Sequence, residues 1–212
     1  MHRADVLGAA LRLLDAEGLD GITMRRLAAT LNLQPSALYH HFRDKKALID
    51  ALAEQLLADV GEVDPAEPWD ERLASIAWQV RAGLLAHRDG GRLMAGTFVV
   101  QPNTLRIGER YVEALRDAGL AEELWASTAF TLTYYILGHT IEEQARDELI
   151  AADAWSGRLA ALASMPYPLI VRSVTDPGHL DGTTQFRRGL ELIIDGIRVA
   201  AARAAQTGSS AG

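Results

Sequence analysis

Apolar residues recur along most of this chain at intervals of three and four, and no segment alternates apolar and polar residues as a half-buried strand does. This periodicity predicts an all-α protein. Beyond the N-terminal region, the predicted helices are 69–86, 103–118, 121–147 and 182–205. Residues 151–181 look irregular apart from one short helix near 155–163. With 212 residues, of which 49% are hydrophobic, the chain can bury a sizeable core.

Capping signals divide the N-terminal region into four short helices. The first helix is expected to end at Gly18, and Thr23 is a good N-cap for the second. Asn32 tolerates the left-handed backbone conformation that a tight turn between helices needs. Pro35 suits the first turn of a third helix, and Asp44 caps a fourth.

Residues 23–42 have the form of a helix-turn-helix, which is two short helices joined by a tight turn. On the second of these helices, Leu38 and Phe42 are four residues apart and are expected to point inward. The opposite edge carries small and polar side chains that could enter a DNA major groove. These side chains are Ser36, Ala37 and His40, with Tyr39 and His41 on the flanks.

Basic residues stand where a helix dipole disfavours them. Arg25 and Arg26 lie in the first turn of the second helix, and Lys45 and Lys46 lie in the first turn of the fourth. Each cation there costs roughly 0.3–1 kcal/mol, which a phosphate bound at the helix N-terminus would offset. Either pair alone could be a solvated surface feature, but together with the helix-turn-helix they favour DNA binding.

Charge and composition narrow the classes of function. The chain carries a formal net charge of −7, yet residues 1–46 hold seven Lys or Arg against five Asp or Glu. It contains no cysteine, so it has neither a disulfide framework nor a thiolate metal site. Adjacent helical residues diverge by about 100°, so His40 and His41 are not expected to hold a metal. No long apolar run suggests a leader or a membrane segment, and we expect a cytoplasmic protein.

The segment "GITMRRLAATLNLQPSALYHHFRDKKALIDALAEQLL" resembles the DNA-binding head of the TetR family of transcriptional repressors. The segments "LLAHRDGGRLMAGT", "ILGHTIEEQ" and "GLELIIDGI" resemble the C-terminal domain of the tetracycline-repressor branch. The resemblance implies a homodimer with a three-helix DNA-binding head, residues 1–46. It also implies a ligand-binding and dimerisation body, residues 47–212, which begins with a connecting helix over 47–60 and a break at 61–68.

The resemblance assigns DNA contacts to residues of the helix-turn-helix. These are Arg25, Pro35, Ser36, Ala37, Tyr39, His40, His41 and Lys45. The helix-dipole argument adds Arg26 and Lys46. Tyr39, His41 and Lys45 keep the residue types of the family, whereas Pro35, Ser36, Ala37 and His40 depart from the tetracycline repressor. We therefore expect a double-stranded DNA operator of different sequence.

In the tetracycline-repressor branch the body binds a magnesium–drug chelate, and this chain departs from that site as well. Met94 stands at the position of the metal-binding histidine. A thioether is a poor ligand for Mg²⁺, so no metal, no cofactor and no magnesium–tetracycline chelate is expected. The aligned positions instead suit a small hydrophobic or aromatic effector. They are Ile76, Val80, Met94, Phe98, Val99 and Tyr111, with Thr97 and Glu142 as polar groups.

Alternatives remain for this pocket. Each apolar residue could simply be core, which would leave a ligand-independent regulator with a filled cavity. Glu142 tests the two interpretations, because a buried carboxylate needs a partner. Its other interpretations are a salt bridge to an arginine and plain exposure.

Two late helices carry apolar stripes that could form a dimer interface. On helix 182–205 the stripe is Phe186, Leu190, Ile193, Ile194 and Ile197. On helix 121–147 it is Phe130, Tyr134, Leu137 and Ile141. Either stripe could be the core of a single chain, but the resemblance favours an interface between two copies.

The sequence thus predicts a dimeric repressor that binds a near-palindromic operator and is released by a small molecule. An enzyme is not expected, because no nucleophile–base pair, metal-ligand cluster or phosphate-binding glycine loop is evident. A protein-interaction module that has lost DNA binding is the other rival. Retention of Arg25, Tyr39 and Lys45 argues against it.

Overall fold

The computed structural model describes residues 2–61, 63–97, 100–175 and 181–209, and this part of the chain is helical without strands. The all-α prediction is confirmed. The α-helices are α1 Arg3–Gly21, α2 Met24–Thr30, α3 Pro35–Tyr39, α4 Lys45–Leu56, α5 Trp69–Leu85, α6 Gly90–Ala95, α7 Pro102–Asp117, α8 Trp125–Ala151, α9 Trp155–Ala163, α10 Pro168–Thr175 and α11 Gly182–Ser209. A 3₁₀ turn over Glu122–Leu124 precedes α8. No helix among the described residues is long and apolar enough to span a membrane.

The starts of α2 and α4 and the turn between α2 and α3 follow the predicted signals, whereas α1 continues past Gly18, where the helix is kinked, to Gly21. The Thr23 hydroxyl accepts the backbone N–H of Arg26 at 3.1 Å, and the Asp44 carboxylate accepts that of Ala47 at 2.7 Å. Asn32 adopts φ 55° in the turn between α2 and α3. Each of these residues satisfies a backbone requirement created by its neighbours, so local sequence was sufficient to find it.

Helices α1 to α4 enclose a small apolar core. Leu14, Leu27, Leu38 and Leu52 are fully buried, one from each helix, and Phe42 after α3 is buried with them. Burying a side chain of this size contributes about 1.5–3 kcal/mol, so this cluster holds the short helices together. The Arg3 guanidinium also lies over the Phe42 ring, 4.7 Å from its centroid.

Several predictions of helix position are wrong, including α8, which was predicted over 121–147 and spans Trp125–Ala151. Helix α4 ends at Leu56 rather than near residue 60. Helix α6 begins at Gly90, within a segment whose glycines predicted a break. Gly90 lies so close to the backbone carbonyl of Leu84 that a Cβ atom would not fit, so the glycine serves packing rather than a turn. Helix α10 occupies part of the stretch predicted to be irregular.

The chain forms two compact units, residues 1–113 and 114–212. In the second unit α8 packs against α11 and α9, and α9 packs against α10. The Tyr135 hydroxyl donates to the Phe186 carbonyl at 2.7 Å, and the two rings stack with centroids 5.4 Å apart. The stripe predicted on α11 as a dimer surface lies largely inside this unit: Phe186, Leu190, Ile194 and Ile197 are buried. For α11 the alternative, core of a single chain, describes the structure.

Candidate nucleic-acid interface and effector site

The helix-turn-helix consists of α2, a turn around Asn32 and α3. Leu38 and Phe42 point inward, as predicted, with 0% and 2% of their surface exposed. The opposite edge is accessible: Ser36 and His40 are exposed, Tyr39 is 52% exposed, and Pro35, Ala37 and His41 are half-buried. The predicted edge is therefore open to a ligand as large as DNA.

The four cations of the predicted DNA-binding set divide into two kinds. Arg26 pairs with Glu17 at 2.6 Å, and Lys46 pairs with Asp50 at 3.0 Å. Arg25 and Lys45 are exposed and form no ion pair within the described residues. The Arg26 contact is not visible in local sequence, because Glu17 belongs to another helix, whereas Lys46 and Asp50 are four residues apart within α4.

The helix ends are less open to an anion than the dipole argument supposed. Thr23 already accepts one first-turn N–H of α2, and the Asp44 carboxylate accepts one of α4. The Arg43 Nε atom also donates a hydrogen bond to the Asp44 carboxylate, at 3.1 Å. The Asp44 carboxylate at the start of α4 offsets part of the helix dipole there, whereas the Thr23 cap of α2 is neutral.

Asp89 links the end of α1 to the start of α6. Its carboxylate accepts the backbone N–H of Leu19 at 2.8 Å and the Arg92 guanidinium at 2.9 Å. Burial alone would raise the pKa of Asp89, but these hydrogen bonds and the charges of Arg92 and Arg88 hold the pKa below its ordinary value. The sequence did not predict this role for Asp89, which adopts the left-handed backbone conformation with φ 56°.

A second contact joins the same two regions. The His87 ring nitrogen Nδ1 lies 3.1 Å from the Asp15 carboxylate, which also accepts the backbone N–H of Arg88 at 3.2 Å. Gly18 adopts φ 73° and approaches Asp89 so closely that a Cβ atom would lie 2.7 Å from Oδ2. The end of α1 is therefore held against the turn before α6 by several specific contacts.

The predicted effector residues of the first unit are partly buried. Ile76, Val80 and Tyr111 are buried, and Met94 and Thr97 are half-buried. Phe98 and Val99 lie outside the described residues. The Thr97 hydroxyl donates to the Met94 carbonyl at 2.8 Å, which leaves its oxygen as an acceptor.

Tyr111 has a feature that the sequence did not predict. Its side chain is 2% exposed, and its hydroxyl has no hydrogen-bond partner among the described residues. Burial raises the pKa of the Tyr111 hydroxyl, so it is a neutral donor. An unsatisfied buried hydroxyl costs about 1–3 kcal/mol, which a ligand acceptor could recover.

For Glu142 the structure supports plain exposure, and the buried carboxylate is that of the next residue. Glu143 is 9% exposed, with the His139 ring at 3.5 Å and the Arg146 guanidinium at 3.9 Å. The helical period distinguishes the two, since 143 continues the buried row 132, 136 and 140 along α8.

Two family models match this chain. The model described as "Bacterial regulatory proteins, tetR family" matches residues 6–52, and "Tetracyclin repressor-like, C-terminal domain" matches residues 63–201. The chain belongs to the TetR family. The resemblance predicted from the sequence is thereby confirmed, and the chain is a transcriptional regulator of that family. Residues 53–62 lie between the two matched segments. The predicted boundary between the DNA-binding head and the body at residue 46 stays a prediction.

Individual TetR-family proteins resemble the chain over most of its length. Tetracycline repressor protein class A from transposon 1721 of Escherichia coli is 36% identical over 91% of this chain and 88% of its own. BioQ, in a crystal structure with its natural double-stranded DNA operator, is 30% identical with a TM-score of 0.73, covering 93% of this chain and 98% of its own. ActR of Streptomyces coelicolor in complex with actinorhodin is 31% identical with a TM-score of 0.81, covering 95% of this chain and 98% of its own.

Proposed function

We propose that this TetR-family regulator is a dimeric repressor that binds a near-palindromic operator and leaves it when a small hydrophobic or aromatic molecule binds. The observation that carries the DNA-binding half is the exposed edge of α3 flanked by two cations, Arg25 and Lys45, without ion pairs in the described structure. The operator complex of BioQ supports this half.

The residues of the helix-turn-helix would have two different roles in DNA recognition. Arg25 and Lys45 would contact phosphates, which sets register and orientation without reading sequence. The α3 edge would meet the bases of the major groove through Ser36, Ala37, Tyr39, His40 and His41, with Pro35 at its start. Two heads would enter grooves about 34–36 Å apart. Arg26 and Lys46 would add less, because each must first give up a carboxylate.

Fluorescence anisotropy with duplex DNA flanking the protein's own gene tests this proposal. The wild type should bind tightly, prefer this DNA over an unrelated duplex, and weaken steeply with salt. Because each dimer loses two phosphate contacts, Lys45→Ala should reduce the slope of log affinity against log salt by about 1.8, and Lys46→Ala should reduce it less. Equal, weak binding to both duplexes would contradict an operator at that gene, and equal slopes would contradict the assigned role of Lys45.

The effector would be an apolar or aromatic molecule that presents an acceptor to Tyr111. The orphaned hydroxyl of Tyr111 is the observation that supports a ligand over a filled cavity. Met94 in place of a metal-binding side chain argues against a magnesium chelate. The complex of ActR with actinorhodin supports a small-molecule effector for a chain with this fold.

Release of the DNA complex by candidate molecules tests the effector. An anthraquinone with free carbonyl oxygens should lower anisotropy, while tetracycline with Mg²⁺ should not. Tyr111→Phe should raise the anthraquinone concentration needed by about fivefold to tenfold without changing DNA affinity. Release by the magnesium chelate, or an unchanged response in Tyr111→Phe, would contradict this part of the proposal.

Effector binding would be coupled to the orientation of the DNA-binding helices through α6. Met94 lies on α6 and Thr97 follows it, and α6 contacts both α4 and α5. At its other end, α6 begins beside Asp89, which holds the end of α1. A ligand that binds one position of α6 better than another would therefore shift the orientation of the DNA-binding helices. Loss of release in Asp89→Asn, with retained ligand binding by calorimetry, would support this path; unchanged release would contradict it.

Dimerisation is supported by exposed apolar residues on the two long helices. On α8, Phe130 is 47% and Tyr134 is 66% exposed, with their rings stacked 5.9 Å apart. On α11, Leu192 and Val199 are exposed on a face other than the predicted stripe. Sedimentation equilibrium should show a dimer that Tyr134→Glu weakens. A monomeric wild type at micromolar concentration would contradict the proposal.

A further inference from the structure

The second unit contains a cavity that the proposed effector site does not explain. It has a volume of about 300 Å³ and lies between α8, α9, α10 and the start of α11. Apart from Glu142, none of the predicted effector residues lines it. A volume of this size suits a compact organic molecule of one ring.

The walls are apolar on one side. Trp155 of α9, Leu149 of α8 and Val174 of α10 line the cavity, and the indole offers a flat π surface. Aromatic and aliphatic walls favour a ligand with an apolar body. An indole face also attracts a cation within about 6 Å of its centre, which neutral apolar walls do not.

The polar side carries an excess of carboxylates. Glu142 and Glu143 both line the cavity, against the guanidinium of Arg146 and the His139 ring, whose Nδ1 atom lies 3.5 Å from Glu143. Glu143 and Arg146 lie 3.9 Å apart, so their charges largely balance. Glu142 is exposed on the cavity wall and has no ion pair within the described part of the chain. The cavity therefore presents one carboxylate whose charge the surrounding structure does not match.

Arg146 does not make this an anion site, because acidic groups already share it. Its Nη2 atom lies 3.6 Å from Asp147 as well as 3.9 Å from Glu143. Hydrogen bonds from Thr184, with a further contribution from the charge of Arg146, lower the pKa of Asp181 beside it. An anionic ligand would have to displace these carboxylates and remain near Glu142. A cationic ligand meets no such obstacle.

We propose that this cavity is a second small-molecule site that binds an organic ammonium with an aromatic or aliphatic body. The ammonium would pair with Glu142 and lie near the Trp155 ring, while the body packs against Leu149 and Val174. Gly182 helps to shape the polar wall, because a Cβ atom there would lie 2.7 Å from the Arg146 Nη2 atom. The proposal does not depend on DNA binding, and it assigns Glu142, which the resemblance placed in the effector site, to this cavity instead.

Isothermal titration calorimetry at low ionic strength with three matched probes tests the charge preference. Phenethylamine should bind, whereas 2-phenylethanol, which lacks the charge, and 3-phenylpropanoate, which reverses it, should bind at least fivefold more weakly. Equal binding of the alcohol would overturn the proposed ammonium selectivity. Tighter binding of the propanoate would show an anion site, and absence of phenethylamine binding would also overturn the proposal.

Variants then locate the site. Glu142→Gln should weaken phenethylamine binding by about fivefold, and Trp155→Leu by about threefold to fivefold. Glu123→Gln removes an exposed carboxylate of the same unit that does not line the cavity, and it should leave binding unchanged. Thermal melting by circular dichroism checks that each variant is folded. Unchanged binding in folded Glu142→Gln, or equal loss in Glu123→Gln, would overturn the assignment to this cavity.

Discussion

The sequence predicts helices α1–α4 more completely than it predicts the long helices α8 and α11. In α1–α4, both the helix starts and the buried faces are those expected, from Thr23 and Asp44 as caps to Leu38 and Phe42 as core. In α8 and α11 the helices were expected, and the predicted α8 residues Phe130 and Tyr134 are exposed, but the use of the α11 faces was not expected. The α11 stripe assigned to a partner is buried within the chain, and other apolar residues are exposed.

The difference has a physical origin in the number of apolar faces. A short helix with one apolar face has one way to bury it, so periodicity and caps determine its orientation. A long helix with apolar residues on two faces can pack either one against its own chain. The choice depends on shape complementarity with helices that are distant in sequence.

The largest effect should come from the core of the α1–α4 region. Phe42→Ala removes a fully packed ring and its contact with Arg3, and should reduce the free energy of unfolding by about 3–5 kcal/mol. Urea titration monitored by circular dichroism measures it. Tyr39→Ala, on the exposed edge three residues earlier, should change stability by less than about 0.5 kcal/mol. Similar losses in both variants would show that the inward and outward faces are misassigned.

The next effect tests the packing of α8 on α11. Gly189→Ala places a Cβ atom 2.6 Å from the Tyr135 ring, which its bond to Phe186 holds in place, and should destabilise by about 1–3 kcal/mol. Gly196→Ala, in open space on the same helix, should stabilise by about 0.5–1 kcal/mol through helix propensity. Thermal melting compares the two. If Gly189→Ala is as stable as Gly196→Ala, these helices do not meet as described.

Asp89 should give a pH-dependent effect of about 1–2 kcal/mol. Because its pKa is lower in the folded chain than in the unfolded chain, the carboxylate contributes stability that is present above about pH 4 and is lost as the pH falls through the folded pKa. Asp89→Asn should therefore be less stable than wild type at pH 7, and the difference should shrink below about pH 4. Unfolding free energies measured from pH 7 to pH 3 would reveal a constant difference if the charge is irrelevant.

The smallest effect separates two adjacent cations. Arg25→Ala should weaken operator binding by at least about fivefold and reduce the salt slope by about 1.8, because each of the two heads loses a charge that is available to phosphate. Arg26→Ala should have less effect, because Arg26 pairs with Glu17. Anisotropy titrations at several salt concentrations compare the variants. Equal losses would mean that DNA displaces Glu17 at little cost.

Several site residues were predictable and others were not. The exposed edge of α3 follows from spacing alone, since Leu38 and Phe42 must share the opposite face. The hydrogen-bond network of Asp89 was not predictable, because its partner Leu19 is 70 residues away. The lack of a hydrogen-bond partner for the Tyr111 hydroxyl among the described residues was not predictable either. A tyrosine in a helical pattern does not indicate whether its oxygen forms a hydrogen bond. For Glu142 and Glu143, one step of 100° decides which carboxylate is buried.

By itself the sequence determined that this chain is all-α, that its N-terminal helices form a helix-turn-helix, and that it resembles the TetR family. These properties rest on periodicity, caps and local motifs, which involve residues a few positions apart. Only the tertiary structure decided that Arg26 pairs with Glu17 of another helix, which stripe of α11 is buried, and that a cavity with an unmatched glutamate lies in the second unit. Those outcomes depend on contacts between distant segments, whose energies are set by packing and desolvation rather than by local order.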